Sequence, residues 1–186
     1  MKFKRGFKKK ADELAKELRA ELGLEKHSPI NPFRLCQHLG VDCLGLSQLV
    51  SIGMAPEILE VLSDADHGGF SAVTIYKGAD SLIVYNESHS LGRINNSICH
   101  ELAHVICDHK SNLSTGNSND PVLRTFSKEQ EGEADWLGAC ILIPKDGLFW
   151  TCYRGMSLNK TAEYFGSSKS LARMRLNISG VKQVFQ

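Results

Sequence analysis

The chain has 186 residues, of which 42% are hydrophobic, and a formal net charge of +1, values typical of one globular domain with a sizeable core. No apolar run approaches the roughly 18 to 20 residues that a membrane-spanning helix requires, so we expect no membrane partner. The basic start, MKFKRGFKKK, leads into a charged amphipathic segment rather than an apolar signal core, and we therefore expect a cytoplasmic protein.

The first ten positions carry six of the 22 basic residues. Such a run is typical of a solvated, frayed terminus, although a basic arm can also contact nucleic acid or an anionic surface. We predict that residues 1–10 form a flexible arm and that residues 11–186 form a single domain.

The cysteines show no C-x-x-C spacing, and several of them lie in apolar, helix-like stretches. We expect reduced core residues rather than disulfides or a cysteine-rich zinc site. The six positions are Cys36, Cys43, Cys99, Cys107, Cys140 and Cys152.

Two helices and a hairpin are predicted in the first half of the chain. Residues 11–23 carry leucines at four-residue spacing and end on a glycine suited to a helix C-cap. Residues 32–40 have the proline start and glycine end of a short helix. The runs 71–76 and 81–86 are rich in β-branched and aromatic side chains, and a Lys-Gly-Ala-Asp turn separates them.

The helix predicted over residues 93–108 carries the motif HELAH at residues 100–104. Residues i and i+4 lie on one helix face, so His100 and His104 can offer imidazole nitrogens to one metal ion while Glu101 projects beside them. A zinc ion held in this way acidifies water, and an adjacent carboxylate can take the proton. The motif predicts a metallohydrolase with Glu101 as its catalytic base.

A catalytic zinc normally has a third protein ligand. The extended pattern H-E-x-x-H-x-x-G-x-x-H fails here, because Cys107 and Lys110 stand where its glycine and third histidine would be. His109 is five residues after His104, which puts it on a different face of a helix. The polar stretch 111–121 predicts a loop, so we look for the third ligand on the helix that follows.

That helix is predicted over residues 127–142, and its first turns are acidic. Glu131 and Asp135 are spaced i, i+4, so Glu131 can bind the metal while Asp135 accepts a hydrogen bond from the outer nitrogen of a ligand histidine. Glu133 is the competing ligand, and we prefer Glu131 because only Glu131 has an acidic partner one turn later. We expect one Zn²⁺ per chain, although this ligand set also accepts other divalent ions.

Four other histidines have no partners at ligand spacing, and we expect surface or locally satisfied side chains. They are His27, His38, His67 and His89. The closing stretch 157–178 predicts two short helices around a Gly-Ser-Ser turn. It has helix-turn-helix character and carries Lys169, Arg173 and Arg175, but such helix pairs are more often packing elements, so we do not expect direct nucleic-acid binding.

These motifs together resemble the ImmA/IrrE family of metallopeptidases. HELAH is followed by the element E-x-x-A-[ND], here EGEAD at 131–135, and then by an apolar run into proline, WLGACILIP. The likeness extends to RGFKKKADELAKELRAELGL near the start and to TAEYFGSSKSLARMRL near the end, and so covers most of the chain.

The resemblance implies an α+β, zincin-like domain in which a small β-hairpin or sheet packs on the active-site helix, between helical N- and C-terminal elements. It implies zinc on His100, His104 and Glu131, with Glu101 as the base. Some relatives cleave a transcriptional repressor, often one encoded nearby on a mobile element or in a stress-response locus. Many also carry a helix-turn-helix, for which we expect no room here.

We predict a zinc endopeptidase that cuts a regulatory protein such as a repressor. Strand 81–86 is the predicted edge strand, which would pair with the extended backbone of the substrate. The alternative is a metal-stabilised regulator that binds a repressor or DNA without hydrolysis. Glu101 favours the enzyme, because a structural zinc site needs no base beside its ligands. The sequence does not indicate an oligomeric state.

Overall fold

A computed structural model describes residues 3–51, 70–77, 80–109, 122–123 and 126–181. Within these ranges the chain forms eight helices and one four-stranded sheet, which confirms the predicted α+β class. The helices are α1 (Phe7–Glu21), α2 (Pro32–His38), α3 (Leu46–Ser51), α4 (Leu91–Ile106), α5 (Lys128–Leu142), α6 (Lys145–Tyr153), α7 (Leu158–Tyr164) and α8 (Lys169–Ile178). The strands are β1 (Asp42–Gly45), β2 (Ala72–Lys77), β3 (Asp80–Tyr85) and β4 (Val122–Leu123).

The sheet has the strand order β1-β3-β2-β4, and the predicted hairpin forms its centre. Strands β2 and β3 pair antiparallel, with Val73 opposite Val84. Strand β1 runs parallel to β3 on its other side, while β4 pairs antiparallel with the second half of β2. The prediction that strand 81–86 lies at an edge is therefore wrong, because β3 has a partner on both sides.

Helix α1 begins four residues before the predicted start at residue 11. Gly6 precedes the helix with a φ of 87°, and residues 7–10 form its first turn. The ring of Phe3 stacks on Phe7 and meets Trp136 of α5 edge-on, with centroid distances of 5.6 and 5.3 Å. These contacts explain the early start, since they place the first turn of α1 against the rest of the fold. The division into an arm and one domain stays a prediction.

The two helices that carry the metal motifs pack against each other in the core, and β2 and β3 pack on α4. The α4 residues Ile98 and Leu102 are fully buried. Ser127 caps α5 through a capping box, because its side chain accepts from the Gln130 N–H while the Gln130 side chain accepts from the Ser127 N–H. This box begins the helix within one residue of the predicted position.

The buried carboxyl end of α5 is satisfied by two buried arginines rather than by a glycine cap. Arg19 Nη2 donates to the Ile141 carbonyl at 2.7 Å, and Arg175 Nε donates to the Ile143 carbonyl at 3.0 Å. Cationic donors suit this end of a helix, where unpaired carbonyls carry partial negative charge. The same contacts fasten α1 and α8 to the helix that carries the acidic motif.

The closing stretch forms α7 and α8 around the predicted turn, and it packs on α4. Asn95 donates to the Gly166 carbonyl at 2.8 Å, and Asn96 donates to Ser168 Oγ at 2.8 Å. No helix in the described part of the chain is both long and apolar enough to span a membrane. The predicted loop 111–121 lies outside the described residues, as do residues 52–69.

Candidate metal centre

Helix α4 brings its two histidine rings onto one face, as their spacing predicts. The ring centroids of His100 and His104 lie 4.8 Å apart, and their Nε2 atoms are 3.1 Å apart. His104 is 1% exposed at its side chain, whereas His100 is 26% exposed and borders an open cleft. The pair therefore joins the core to a surface that a ligand can reach.

Helix α5 places Glu131 against this pair. Glu131 Oε2 lies 3.3 Å from His100 Nε2 and 3.8 Å from His104 Nε2. An ion with tetrahedral ligands at about 2.0 to 2.2 Å separates those ligand atoms by about 3.3 to 3.6 Å, and the three observed separations bracket that range. Two imidazole nitrogens and a carboxylate oxygen at this spacing fit a divalent transition metal such as zinc.

Asp135 lies one helical turn after Glu131 and faces the outer nitrogen of a histidine. Its Oδ1 is 3.0 Å from His100 Nδ1, so the imidazole can donate to the carboxylate. Such a bond leaves the lone pair of His100 on Nε2, the atom that faces Glu131. Burial opposes the charged form of His100, but Asp135 and the nearby carboxylates raise the pKa of His100 overall.

Glu101 lies beside this group, partly buried between α4 and the sheet. Its Oε2 accepts a hydrogen bond from Thr74 Oγ1 of β2 at 2.6 Å. Burial raises the pKa of Glu101, while the Thr74 hydrogen bond and the His100 imidazole oppose that shift. A carboxylate held at one oxygen with a raised pKa is suited to accept and return a proton.

A cleft with a volume of about 390 Å³ opens in front of these side chains. His100, Glu101 and Asp135 line it, together with the start of β2, one turn of α4 before His100, and α5. Most of the other lining side chains are small, which leaves space for a ligand that lies along the helices. The other residues that line the cleft are Ser71, Ala72, Asn96, Ser97, Gly138, Ala139 and Leu171.

Comparison with protein families identifies the chain. The family model Peptidase_M78, described as the IrrE N-terminal-like domain, matches residues 63–177, which include both metal motifs. The chain belongs to this family. A search of curated proteins finds no significant match. The family match confirms the predicted resemblance and makes the chain a member of a peptidase family.

In this Peptidase_M78 domain, sequence reasoning missed the position of His109. Helix α4 ends at Ile106, Asp108 adopts a left-handed φ of 47°, and the His109 N–H donates to the His104 carbonyl at 3.1 Å. The Asp108 N–H donates to the Val105 carbonyl, which completes a Schellman motif. A helical projection does not apply beyond such a cap, so the face assigned to His109 was wrong.

The turn brings the His109 ring against His104. His109 Nδ1 lies 3.0 Å from His104 Nδ1, and His109 Nε2 lies 3.2 Å from Glu133 Oε2. Phe126 stacks on the His104 ring at 3.8 Å between centroids. Glu133, the competing ligand, thus faces His109, and it is absent from the group of atoms that can share one ion. Burial, together with the His100 and His109 imidazoles, lowers the pKa of His104 to about 3.

The other histidines expected to be satisfied locally do have local partners. His27 stacks on Trp150, His38 pairs with Glu21 at 2.9 Å, and His89 lies 3.2 Å from the Phe70 carbonyl. His67 lies outside the described residues. All six cysteines are free thiols; three of them are buried as predicted for core residues (Cys36, Cys99 and Cys140), whereas the other three are only partly buried (Cys43, Cys107 and Cys152).

Proposed function

We propose that this member of the Peptidase_M78 family is a zinc-dependent endopeptidase. The observation that supports it best is the meeting of His100, His104 and Glu131 at ligand spacing, with the Glu101 carboxylate beside them. Two imidazoles and one carboxylate leave a fourth position open, as catalytic zinc sites do. Asp135 then serves as the carboxylate that orients His100.

Each protein group has a task in peptide hydrolysis. Zinc in such a site supplies Lewis-acid polarisation of water and of the scissile carbonyl. Glu101 takes the proton of the attacking water and passes it to the leaving amine nitrogen, so one carboxylate acts as base and then as acid. Thr74 Oγ1 donates to Oε2 of Glu101 and so fixes the carboxylate beside the ligand set, where it can meet the water.

The substrate we propose is an extended segment of a protein. Strand β4 pairs only with Ile75 and Tyr76 of β2, so the outer side of Ala72–Thr74 has no partner strand among the described residues. Because Ala72 lines the cleft and Thr74 contacts Glu101, a peptide added along this edge would pass the base. We therefore propose that the first half of β2, and not β3, pairs with the substrate.

The biological target we propose is a cytoplasmic regulatory protein such as a transcriptional repressor. Support for this target comes from the family resemblance alone. Incubation with a repressor encoded beside the gene, followed by mass spectrometry of the products, would identify the cleaved bond. Cleavage only after the repressor is unfolded would argue against it as the natural target.

The test of the reaction is the substitution Glu101→Gln, which removes the base and keeps the shape of the side chain. We expect the variant to retain one zinc per chain and to lose cleavage of a library of unstructured peptides by at least about 100-fold. The control is Glu129→Gln, at an exposed position of α5, which should keep both properties. Cleavage by Glu101→Gln at the wild-type rate would refute the proposed role of Glu101.

A non-hydrolytic regulator is the second candidate. It is favoured by Lys169 and Arg173, which are exposed beside Met174 and Ile178 on the outer side of α8. Arg175, the third basic residue of this stretch, is buried and bonded to the Ile143 carbonyl, so it does not add to that surface. DNA affinity that falls steeply with salt and is lost in Lys169→Ala with Arg173→Ala would favour this candidate.

A further inference from the structure

A line of three largely buried side chains begins at the proposed metal ligand His104 and ends at Glu133, which borders a cleft beside the start of α1. His104 Nδ1 faces His109 Nδ1 at 3.0 Å, and His109 Nε2 faces Glu133 Oε2 at 3.2 Å. The side chains of His104, His109 and Glu133 are 1, 5 and 12% exposed. Water therefore has little access to the contact between the two imidazoles, whose nitrogens depend on each other for a hydrogen bond.

With a metal ion held by His100, His104 and Glu131, the Nε2 atom of His104 must offer its lone pair, and the two contacts farther along the line then need one donor and one acceptor each. An ionised Glu133 only accepts, so His109 Nε2 carries a proton. A neutral His109 then has its lone pair on Nδ1, so the proton between the two rings belongs to His104 Nδ1. This arrangement agrees with a lone pair on His104 Nε2, the atom that faces His100 and Glu131.

The two histidines of the HELAH motif are thus oriented by carboxylates in different ways. Asp135 contacts His100 directly, at 3.0 Å. Glu133 reaches His104 only through His109, whose position depends on the left-handed turn at Asp108. The spacing of the acidic motif explains the difference, since residues two apart point in different directions from a helix.

We infer that His109 and Glu133 are positioning residues that hold His104 in its metal-binding tautomer and orientation. This inference rests on the proposed function, because it gives His104 the role of a ligand. Phe126 completes the support, since its ring stacks on one face of the His104 imidazole. Carboxylate and carbonyl partners of this kind typically change metal affinity 10- to 100-fold when they are removed.

The first test is a double-mutant cycle on the full chain, with the dissociation constant for Zn²⁺ measured by competition with a chelator. His109→Leu and Glu133→Ala should each weaken zinc binding about 10- to 100-fold. The double variant should bind about as weakly as His109→Leu alone, because Glu133 acts through His109. His109→Gln should recover part of the loss, since its amide oxygen can accept from His104 Nδ1.

The control for simple loss of charge is Glu129→Ala, which removes an exposed carboxylate from the first turn of the same helix. It should bind zinc like the wild type. Effects of His109→Leu and Glu133→Ala that multiply in the double variant, or that do not exceed the control, would overturn the inference. Wild-type protein without zinc binding, or Glu131→Ala with wild-type affinity, would instead show that the proposed metal site is wrong.

A second test needs no substitution and so does not depend on the folding of a variant. Nuclear magnetic resonance of the zinc-loaded chain, with ¹⁵N-labelled histidine, reports which ring nitrogen carries a proton. We expect the His109 proton on Nε2 and the His104 proton on Nδ1, with a close contact between the His104 proton and the His109 ring. A proton on His109 Nδ1 would overturn the inference, because that nitrogen could not then accept from His104.

Discussion

At Gly138 the two helices that carry the metal motifs approach each other closely. A Cβ added there would lie 2.9 Å from the Cys99 carbonyl oxygen and 3.0 Å from the Cα of His100. Ordinary contacts of a Cβ begin at 3.4 Å, and the atoms it would meet are backbone. Gly138→Ala must therefore move α4 and α5 apart by about 0.5 Å at this level.

That displacement acts directly on the proposed ligand set, because His100 carries one of the contacted atoms. If the helices separate by about 0.5 Å, the distance between His100 Nδ1 and Asp135 Oδ1 grows from 3.0 Å to the outer limit of a hydrogen bond. We expect zinc affinity to fall about 10-fold or more. The overpacked methyl group lowers the free energy of unfolding by about 1 to 3 kcal/mol. The better helix propensity of alanine offsets about 1 kcal/mol of that loss.

The assays are chelator competition for Zn²⁺ and thermal unfolding of the metal-free chain. Gly138→Ala should bind zinc more weakly and unfold at the same or a lower temperature. Glu129→Ala, an exposed substitution on α5 that also introduces alanine, should leave the zinc affinity unchanged. Unchanged affinity in Gly138→Ala, with unfolding at a higher temperature, would refute the reasoning, since only helix propensity would then have changed.

Two further substitutions test the support of the site and of the fold. Thr74→Val removes the hydroxyl that donates to Glu101 Oε2. We expect kcat for peptide cleavage to fall about 10-fold while the zinc content stays unchanged. An unchanged kcat would count against Thr74 as the residue that holds the base. Arg19→Met removes the donors to the Ser28 and Ile141 carbonyls and should lower the free energy of unfolding in urea by about 2 to 4 kcal/mol. The control is Lys16→Met, which removes a half-exposed ion pair with Asp146 and should lower the free energy of unfolding by less than about 1 kcal/mol. Equal losses of unfolding free energy in Arg19→Met and Lys16→Met would contradict the role given to Arg19.

The sequence predicted the two helices that carry the metal motifs well, because their signals are local. Apolar residues at helical spacing and the proline after α5 mark that helix, and the HELAH spacing marks one face of α4. The central hairpin was also predicted, from two runs of β-branched residues. In each of these elements, local propensity agrees with the packing that the fold requires.

Among the elements that the sequence did not predict, strand β1 depends on a long-range contact. Strand β1 has only four residues, DCLG, and exists because it pairs parallel with β3 some forty residues later. Helix α3 follows it directly and is only six residues long, too short to show a periodic pattern. The central place of β3, and so the error about the edge strand, follows from that same parallel pairing.

The role of His109 was missed for a different reason. The spacing of five residues from His104 predicts a different face only if α4 continues to His109. The helix instead ends at Ile106, and the chain turns at Asp108. Glycine is the usual residue at such a turn. A Schellman cap formed without glycine leaves a weak signal in a single sequence. Glu133 could not be assigned either, because its partner was placed on the wrong face.

The proposed mechanism requires that His100, His104 and Glu131 hold one metal ion. The most direct test is the zinc content of the purified full chain, measured for the wild type, Glu131→Ala and the control Glu129→Ala. We predict about one zinc per chain in the wild type and in the control, and almost none in Glu131→Ala. Full zinc content in Glu131→Ala would contradict the account, because it would remove the acidic helix from the ligand set.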